Sequence, residues 1–301
     1  TINLNTTGSA TTTIASGASS TAGMRFGFGG GVTVNTNGNV TIGSHNSSSS
    51  LFIQANVNVN GGHLTTKGKS SGNGIGLQDG GGTPAVINVN NGSTLSMHGI
   101  STTSGNGIDL RPQGVANFIT MSGTNAGQRG TINLIGESVT GAGIYTSGAT
   151  ITSEGGNINL TGTSQGNAIV HDGLIRSGNA SSGGVVTFTG TSTGSALPRL
   201  GINSSGSVQG GSVVFNGISA GAQGIYTAGA VTAVAGNVSM TGTSAQGTGV
   251  HTQGLVRASG NITLNGTSTS SNSQGVITQN SVESTAGDIS VTGVTLSLIH
   301  I

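Results

Sequence analysis

Residues 156–178 read GNINLTGTSQGNAIVHDGLIRSG, and residues 236–260 read GNVSMTGTSAQGTGVHTQGLVRASG. Both stretches begin with glycine, followed at alternate positions by Ile or Val and then by Leu or Met, and the same start, with Phe also allowed at its end, recurs along the chain. The starting glycines are Gly130, Gly156, Gly184, Gly211, Gly236 and Gly260, and a shorter copy begins at Gly287. They are 24–28 residues apart. A repeat of this period is typical of a protein built from stacked copies of one small unit.

Each repeat contains three short stretches with apolar residues at alternate positions. In the first stretch, Ile158 and Leu160 are two residues apart, which places both side chains on one face of a β-strand. The second stretch reads GIYTSG at 143–148 and GVHTQG at 249–254, and the third centres on one apolar residue such as Ile175. Glycine at this density would cost a helix up to about 1 kcal/mol per position. We therefore predict an all-β chain folded as a parallel β-helix (β-solenoid), with about 24–28 residues and three short strands per coil.

Stacking of such coils predicts columns of equivalent side chains inside the solenoid. One column is Ile132, Ile158, Val186, Val213, Val238 and Ile262, and a second is Leu134, Leu160, Phe188, Phe215, Met240 and Leu264. The third stretch contributes Ile151, Ile175, Val208, Val231, Val256 and Val282. One coil buries too little to fold by itself, so its stability must come from the coils on either side.

The composition excludes several other classes of protein. The 301 residues include 58 glycines and no cysteine, and only 8 Lys or Arg and 7 Asp or Glu give a net charge of +1. Collagen needs glycine at every third position and abundant proline, and a disulfide framework needs cysteine. So few basic residues predict no nucleic-acid partner, and the absence of a long apolar run predicts no transmembrane segment.

The repeat also predicts the organisation of the chain. We expect one continuous solenoid over residues 1–295, with less regular coils in 1–129 and regular coils in 130–295. Residues 156–178 resemble 236–260, 80 positions later, which indicates that a block of three coils was duplicated. Residues 296–301 (LSLIHI) depart from the repeat and are predicted to be a non-native tail. Because residue 1 is threonine and no secretion signal follows it, the chain is expected to be an internal fragment of a longer protein.

The repeat style of GNINLTGTS followed by GLIRSG resembles the shafts of large secreted bacterial adhesins. The most similar family is the filamentous-haemagglutinin-like exoproteins of two-partner secretion, and the passengers of autotransporters are similar. The resemblance covers about residues 35–295. It implies a right-handed parallel β-helix, a location outside the cell or on its outer surface, an outer-membrane secretion partner, and a host-cell protein or glycan as receptor.

Candidate chemical groups are sparse and scattered along the sequence. The acidic residues are Asp79, Asp109, Glu137, Glu154, Asp172, Glu283 and Asp288, and the histidines are His45, His63, His98, His171, His251 and His300. Polysaccharide hydrolases need paired carboxylates and calcium sites need several oxygen ligands, and neither spacing is present. We therefore predict solvated charges and polar surface or turn histidines. We assign no catalytic, cofactor-binding or metal-ligating residue and no cofactor.

Several outward positions recur from coil to coil. Arg176 and Arg257 share one position, and Tyr145, Tyr226 and His251 share another; they are surface decoration or a glycan- or protein-binding stripe. His171 falls one residue later than His251, so alternation places it on the opposite face or in a turn. Asn157, Asn237 and Asn261 share the position after the first glycine and predict a hydrogen-bonded ladder. The run Thr187, Thr189, Thr191 and Thr193 resembles an ice-binding array but is not repeated in every coil.

Three hypotheses about function follow. The leading hypothesis is a structural shaft segment of a secreted or surface-exposed adhesin, without enzymatic activity. The alternative is a carbohydrate-active β-helix enzyme, which requires carboxylates or basic groups that converge on one face. A disordered Gly/Ser/Thr-rich linker is the third.

Overall fold

The computed structural model describes residues 2–6, 11–14, 24–26, 32–36, 38–46, 50–54, 56–77, 85–90, 92–111, 118–121, 129–179, 183–196 and 198–296. Within these ranges the regular structure is entirely β-strand, and no helix is present. None of the described segments is therefore a helix long and apolar enough to span a membrane. The disordered-linker hypothesis is wrong for this part of the chain.

The strands are short and follow one another at regular intervals. In the first third they are β1 (Ile2–Thr6), β2 (Thr11–Ile14), β3 (Met24–Phe26), β4 (Val32–Thr36), β5 (Asn39–Gly43), β6 (Leu51–Ile53), β7 (Val57–Asn60), β8 (His63–Ser70), β9 (Ile75–Leu77), β10 (Val86–Asn90) and β11 (Thr94–Ser101). The central strands are β12 (Ile108–Asp109), β13 (Phe118–Met121), β14 (Thr131–Ser138), β15 (Ile144–Tyr145), β16 (Thr150–Ser153), β17 (Asn157–Ser164), β18 (Ile169–His171), β19 (Leu174–Ser177), β20 (Val185–Ser192), β21 (Ile202–Ser204) and β22 (Ser207–Gly210). The last are β23 (Ser212–Ser219), β24 (Ile225–Thr227), β25 (Val231–Ala233), β26 (Val238–Ser244), β27 (Val250–Thr252), β28 (Val256–Ala258), β29 (Ile262–Ser268), β30 (Val276–Thr278), β31 (Val282–Ser284) and β32 (Ile289–Thr295).

Every third strand belongs to the same parallel sheet. Sheet A contains β1 and every third strand after it to β31, sheet B contains β2 to β32, and sheet C contains β3 to β30. Sheets A and B have eleven strands each and sheet C has ten. The chain therefore passes through the three sheets in turn on each coil, which confirms the predicted β-solenoid with three strands per coil.

The predicted interior columns are confirmed. Ile158 pairs with Val186 and Leu160 with Phe188, and the register continues coil by coil through sheet B. Both columns are buried from Ile132 and Leu134 to Ile262 and Leu264. Alternate residues point outward, as the burial pattern of β17 shows. One apolar core therefore runs along the axis, bounded by all three sheets.

A second motif, Gly-x-Ser, closes every sheet B strand from β8 to β29. The glycines are Gly68, Gly99, Gly136, Gly162, Gly190, Gly217, Gly242 and Gly266. A Cβ added at any of them would overlap a backbone carbonyl oxygen at the entry to sheet C, for example that of Ala168 beside Gly162. Glycine is therefore required because the chain turns against its own backbone at this corner.

The serine of the motif points into this corner and joins adjacent coils. Ser192 Oγ donates a hydrogen bond to Gly166 O at 2.6 Å, and Ser219 Oγ donates to Arg199 O at 2.7 Å. Both serines are buried. Small polar residues therefore lie in the interior of the corner, where they are hydrogen-bonded, as well as on the outer faces.

The coils before Gly130 vary more in length than the predicted 24–28 residues. His63 pairs with Thr94, which is 31 residues later, and Thr94 pairs with Thr131, which is 37 residues later. The strands keep their register because the extra residues lie between them. Of the predicted tail, Leu296 is exposed just after β32, and 297–301, with His300, lie outside the described residues, as does Asp79.

Candidate functional site

The outer face of sheet B carries a group of ionisable side chains in its early coils. Lys67 and His98 are in register on β8 and β11. Two residues further along these strands, on the same face, Ile100 lies in register between Lys69 and Glu137. The longer coils still bring these residues, which are far apart in the sequence, to neighbouring positions on one face.

Two of these side chains, His98 and Glu137, contact each other, and His45 packs against His98. His98 Nε2 lies 2.9 Å from Glu137 Oε1, and both side chains are partly exposed. His45 Nε2 lies 2.9 Å from the backbone carbonyl of His98, and the two imidazole rings meet edge to face with centroids 4.3 Å apart. We call His45, Lys67, His98 and Glu137 the His–Lys–Glu cluster.

The electrostatics of the cluster favour a neutral His45. Partial burial lowers the pKa of His45, and the nearby positive charges of His98 and Lys67 lower it further. The hydrogen bond to the His98 carbonyl and the charge of Glu137 act in the opposite direction. A groove of about 440 Å³ lies beside the cluster, lined among others by Thr41, Ser44 and Lys67.

The chemistry available to the cluster is hydrogen bonding and proton transfer by one carboxylate, two imidazoles and one ammonium group. Within the described part of the chain, no three His, Asp or Glu side chains are arranged to hold a metal ion. The two-carboxylate arrangement of most glycosidases is not present in the cluster, which contains Glu137 as its single acid. Sequence inspection missed this site because only alignment on the Gly-x-Ser motif places these residues in adjacent columns.

The outward Tyr and Arg residues form two separate columns. Tyr226 and His251 are in register on sheet C, with rings 5.3 Å apart, and Tyr145 lies three coils earlier in the same column. Arg176 and Arg257 share a column of sheet A. The two groups therefore do not make one stripe.

Two residues predicted to be solvated are buried instead. His171 is only 1% exposed and faces the core, opposite to His251, so the prediction of a surface or turn histidine is wrong. Asp109 is 5% exposed and accepts hydrogen bonds from Arg111 Nε at 2.9 Å and from the side chains of Asn73 and Asn106. Its carboxylate is neutralised by Arg111, which explains how it is accommodated.

The predicted asparagine ladder is present in part, between Asn237 and Asn261, and Asn157 bonds to Val185 instead. Asn237 Oδ1 accepts a hydrogen bond from the backbone N–H of Asn261, and Asn157 Oδ1 accepts one from Val185. Direct amide-to-amide bonds occur elsewhere, as from Asn159 Nδ2 to Asn133 Oδ1 at 2.9 Å. The asparagines therefore join coils.

The threonine run belongs to a broader face. From β17 to β32, three outward columns of sheet B contain no charged side chain, and they consist of Thr, Ser and Asn except for Val214, Ile218 and Val294. The hydroxyl pattern thus extends over more coils than the linear run indicated.

Comparison of the chain with protein-family models, with curated proteins and with solved structures found no match. The class of this protein therefore rests on its architecture, which is that of a β-solenoid repeat protein with three parallel sheets and one continuous core.

Proposed function

We propose that this chain is a structural shaft segment of a secreted or surface-exposed bacterial adhesin. The observation that carries the proposal is the unbroken in-register stacking of sheet B from β2 to β32. At a spacing of about 4.8 Å per coil, eleven strands extend over about 50 Å. Such a rod holds whatever follows it at a fixed distance from its anchor.

The surface chemistry also supports a shaft. The Thr, Ser and Asn columns from β17 to β32 hydrate the rod without a net charge. Backbone hydrogen bonds between coils make each coil the template for the next, so a shaft of this type lengthens by duplication. The proposed parent is exported through an outer-membrane secretion partner and meets a host-cell protein or glycan.

The test removes one three-coil block. Deletion of residues 156–235 joins Gly155 to Gly236 and keeps the phase, because Asn157 and Asn237 occupy the same position of the repeat. Small-angle scattering should show a rod shortened by about 14 Å, and circular dichroism should retain its β signal. A globular particle, or loss of structure on deletion, would contradict the shaft.

A carbohydrate-active enzyme is the second candidate, and the His–Lys–Glu cluster beside its groove favours it. The His98–Glu137 pair offers a site for proton transfer. Release of new reducing ends from polysaccharides by the full chain, abolished in Glu137→Gln and retained in Glu283→Gln, would establish this function. Absence of any release would remove it.

A further inference from the structure

Arg176 and Arg257 occupy the same position of the repeat but have different surroundings. Arg257 donates two hydrogen bonds to Glu283 on the next coil, at 2.6 and 3.0 Å. Gln209, not an acid, follows Arg176 in register. Among the described residues, Arg176 has no hydrogen-bond or ion-pair partner.

A second arginine without a hydrogen-bond partner among the described residues, Arg129, lines a groove together with Arg176. The groove lies at the carboxyl-terminal ends of β13, β16 and β19 and has a volume of about 420 Å³. Its polar lining includes Thr120, Arg129, Thr152, Glu154, Arg176 and Asn179. Arg129, like Arg176, has no hydrogen-bond partner within the described ranges, whereas Arg111, Arg199 and Arg257 are bonded to Asp109, Gln165 O and Glu283.

The backbone makes room for Arg129. Gly155 has a φ of +139°, and a Cβ at this residue would lie 3.0 Å from Arg129 Nε and 3.3 Å from its Cζ. The guanidinium therefore lies across Gly155, in a space that any other residue would fill. The hydroxyls of Thr120 and Thr152, in register with Arg176, continue the polar lining.

We propose that this groove binds a sugar residue that carries one carboxylate, as in a uronic acid. Two guanidinium groups match the planar carboxylate in charge and geometry. The charge of Glu154 makes the groove unfavourable for a polyanion, and the hydroxyls of Thr120 and Thr152 are suited to hydrogen bonds with sugar hydroxyls. The volume lies within the range of small-ligand sites, about 300–1,000 Å³. This binding site goes beyond the shaft role and does not depend on it.

The test is calorimetric titration of the full chain at low salt with a glycan trimer that contains one glucuronic acid and two neutral glucose residues. Arg129→Gln and Arg176→Gln should each weaken binding about tenfold or more, and Arg257→Gln, the matched control, should leave it unchanged. A neutral glucose trimer should not bind. All three side chains are exposed, so the β signal of each variant should be unchanged.

Three results would overturn the proposal: no binding of the trimer, equal binding by the groove variants and the parent chain, or equal loss in Arg257→Gln. A sulfated trisaccharide that binds more tightly than the uronate would overturn the carboxylate assignment. The rod length measured by scattering is independent of these titrations, so failure here and failure of the shaft proposal are distinguishable.

Discussion

His171 Nδ1 lies 2.9 Å from Ser204 Oγ on the next coil, and both side chains are inside the core. The imidazole packs edge to face with Phe188 at 5.7 Å between centroids, and its Nε2 has no hydrogen-bond partner among the described residues. Burial lowers the pKa of His171 from 6.5 to about 4. The core therefore contains a neutral histidine whose protonation opposes folding.

We expect the solenoid to lose stability in acid through this residue. Between pH 6.5 and about 4 the unfolded chain binds a proton that the folded chain excludes. The contribution is complete above pH 6.5 and falls as the pH drops through this window, by about 3 kcal/mol in total. Denaturant unfolding from pH 7 to pH 4 should show this loss, and His171→Leu should reduce it.

The control for this prediction is His63→Leu, which changes an exposed histidine of sheet B. It should leave the pH dependence as it is in the parent chain. A pH profile that is the same in His171→Leu and the parent would show that other groups dominate acid unfolding.

The corner glycines give a steric prediction. A Cβ at Gly162 or Gly190 would overlap the carbonyl oxygen of Ala168 or Gly201, so the backbone must move. Either alanine substitution should lower the free energy of unfolding by about 1–3 kcal/mol or more, measured by denaturant titration. Gly293 occupies the same position on β32, but its nearest atom is Val276 N at 3.2 Å. Gly293→Ala should cost clearly less, and an equal cost would contradict the corner explanation.

The interior columns could be predicted from Ile132 onward because the loops that follow Gly130 differ little in length. Before Gly130 the pairing of His63 with Thr94 and then Thr131 has unequal steps, and a fixed period fails there. Alignment on Gly68, Gly99 and Gly136 recovers the register, because the corner requires glycine whatever the loop length.

The candidate site was harder to predict than the columns because alternation gives the face of a residue but not its neighbour on the next coil. Lys67 and His98 are 31 residues apart and become neighbours only through the register. Alternation did place His171 and His251 on opposite faces. The polarity of His171 predicted an exposed position. In the structure a hydrogen bond with Ser204 and a ring contact with Phe188 accommodate it in the core.

The Phe188–Phe215 contact tests whether stability passes between neighbouring coils. The rings are fully buried with centroids 4.6 Å apart. Phe188→Ala should lower the free energy of unfolding by about 3–5 kcal/mol because it leaves a cavity. Phe188→Leu introduces the residue found at the same position of the preceding coil and should lower it less. Hydrogen exchange should accelerate most in β17, β20 and β23. Uniform acceleration from β8 to β29 would contradict nearest-neighbour coupling.

The last prediction concerns the scarcity of charge. Among the paired positions that the structure describes on adjacent coils, no two Lys or Arg residues and no two acidic residues are neighbours, and the Arg257–Glu283 pair joins opposite charges. Thr161 and Thr189 are outward neighbours in the uncharged part of sheet B. Lysine at both positions should give a repulsive coupling of about 0.2–1 kcal/mol.

Lysine at Thr161 with glutamate at Thr189 should give an attractive coupling of similar size. Double-mutant cycles from denaturant unfolding measure both couplings, and both should shrink in about 1 M salt, where screening acts over about 3 Å. Couplings of the same sign, or couplings that salt leaves unchanged, would show that in-register stacking does not restrict charge. Opposite signs would explain why a rod with this register has hydroxyl and amide groups along most of its outer columns.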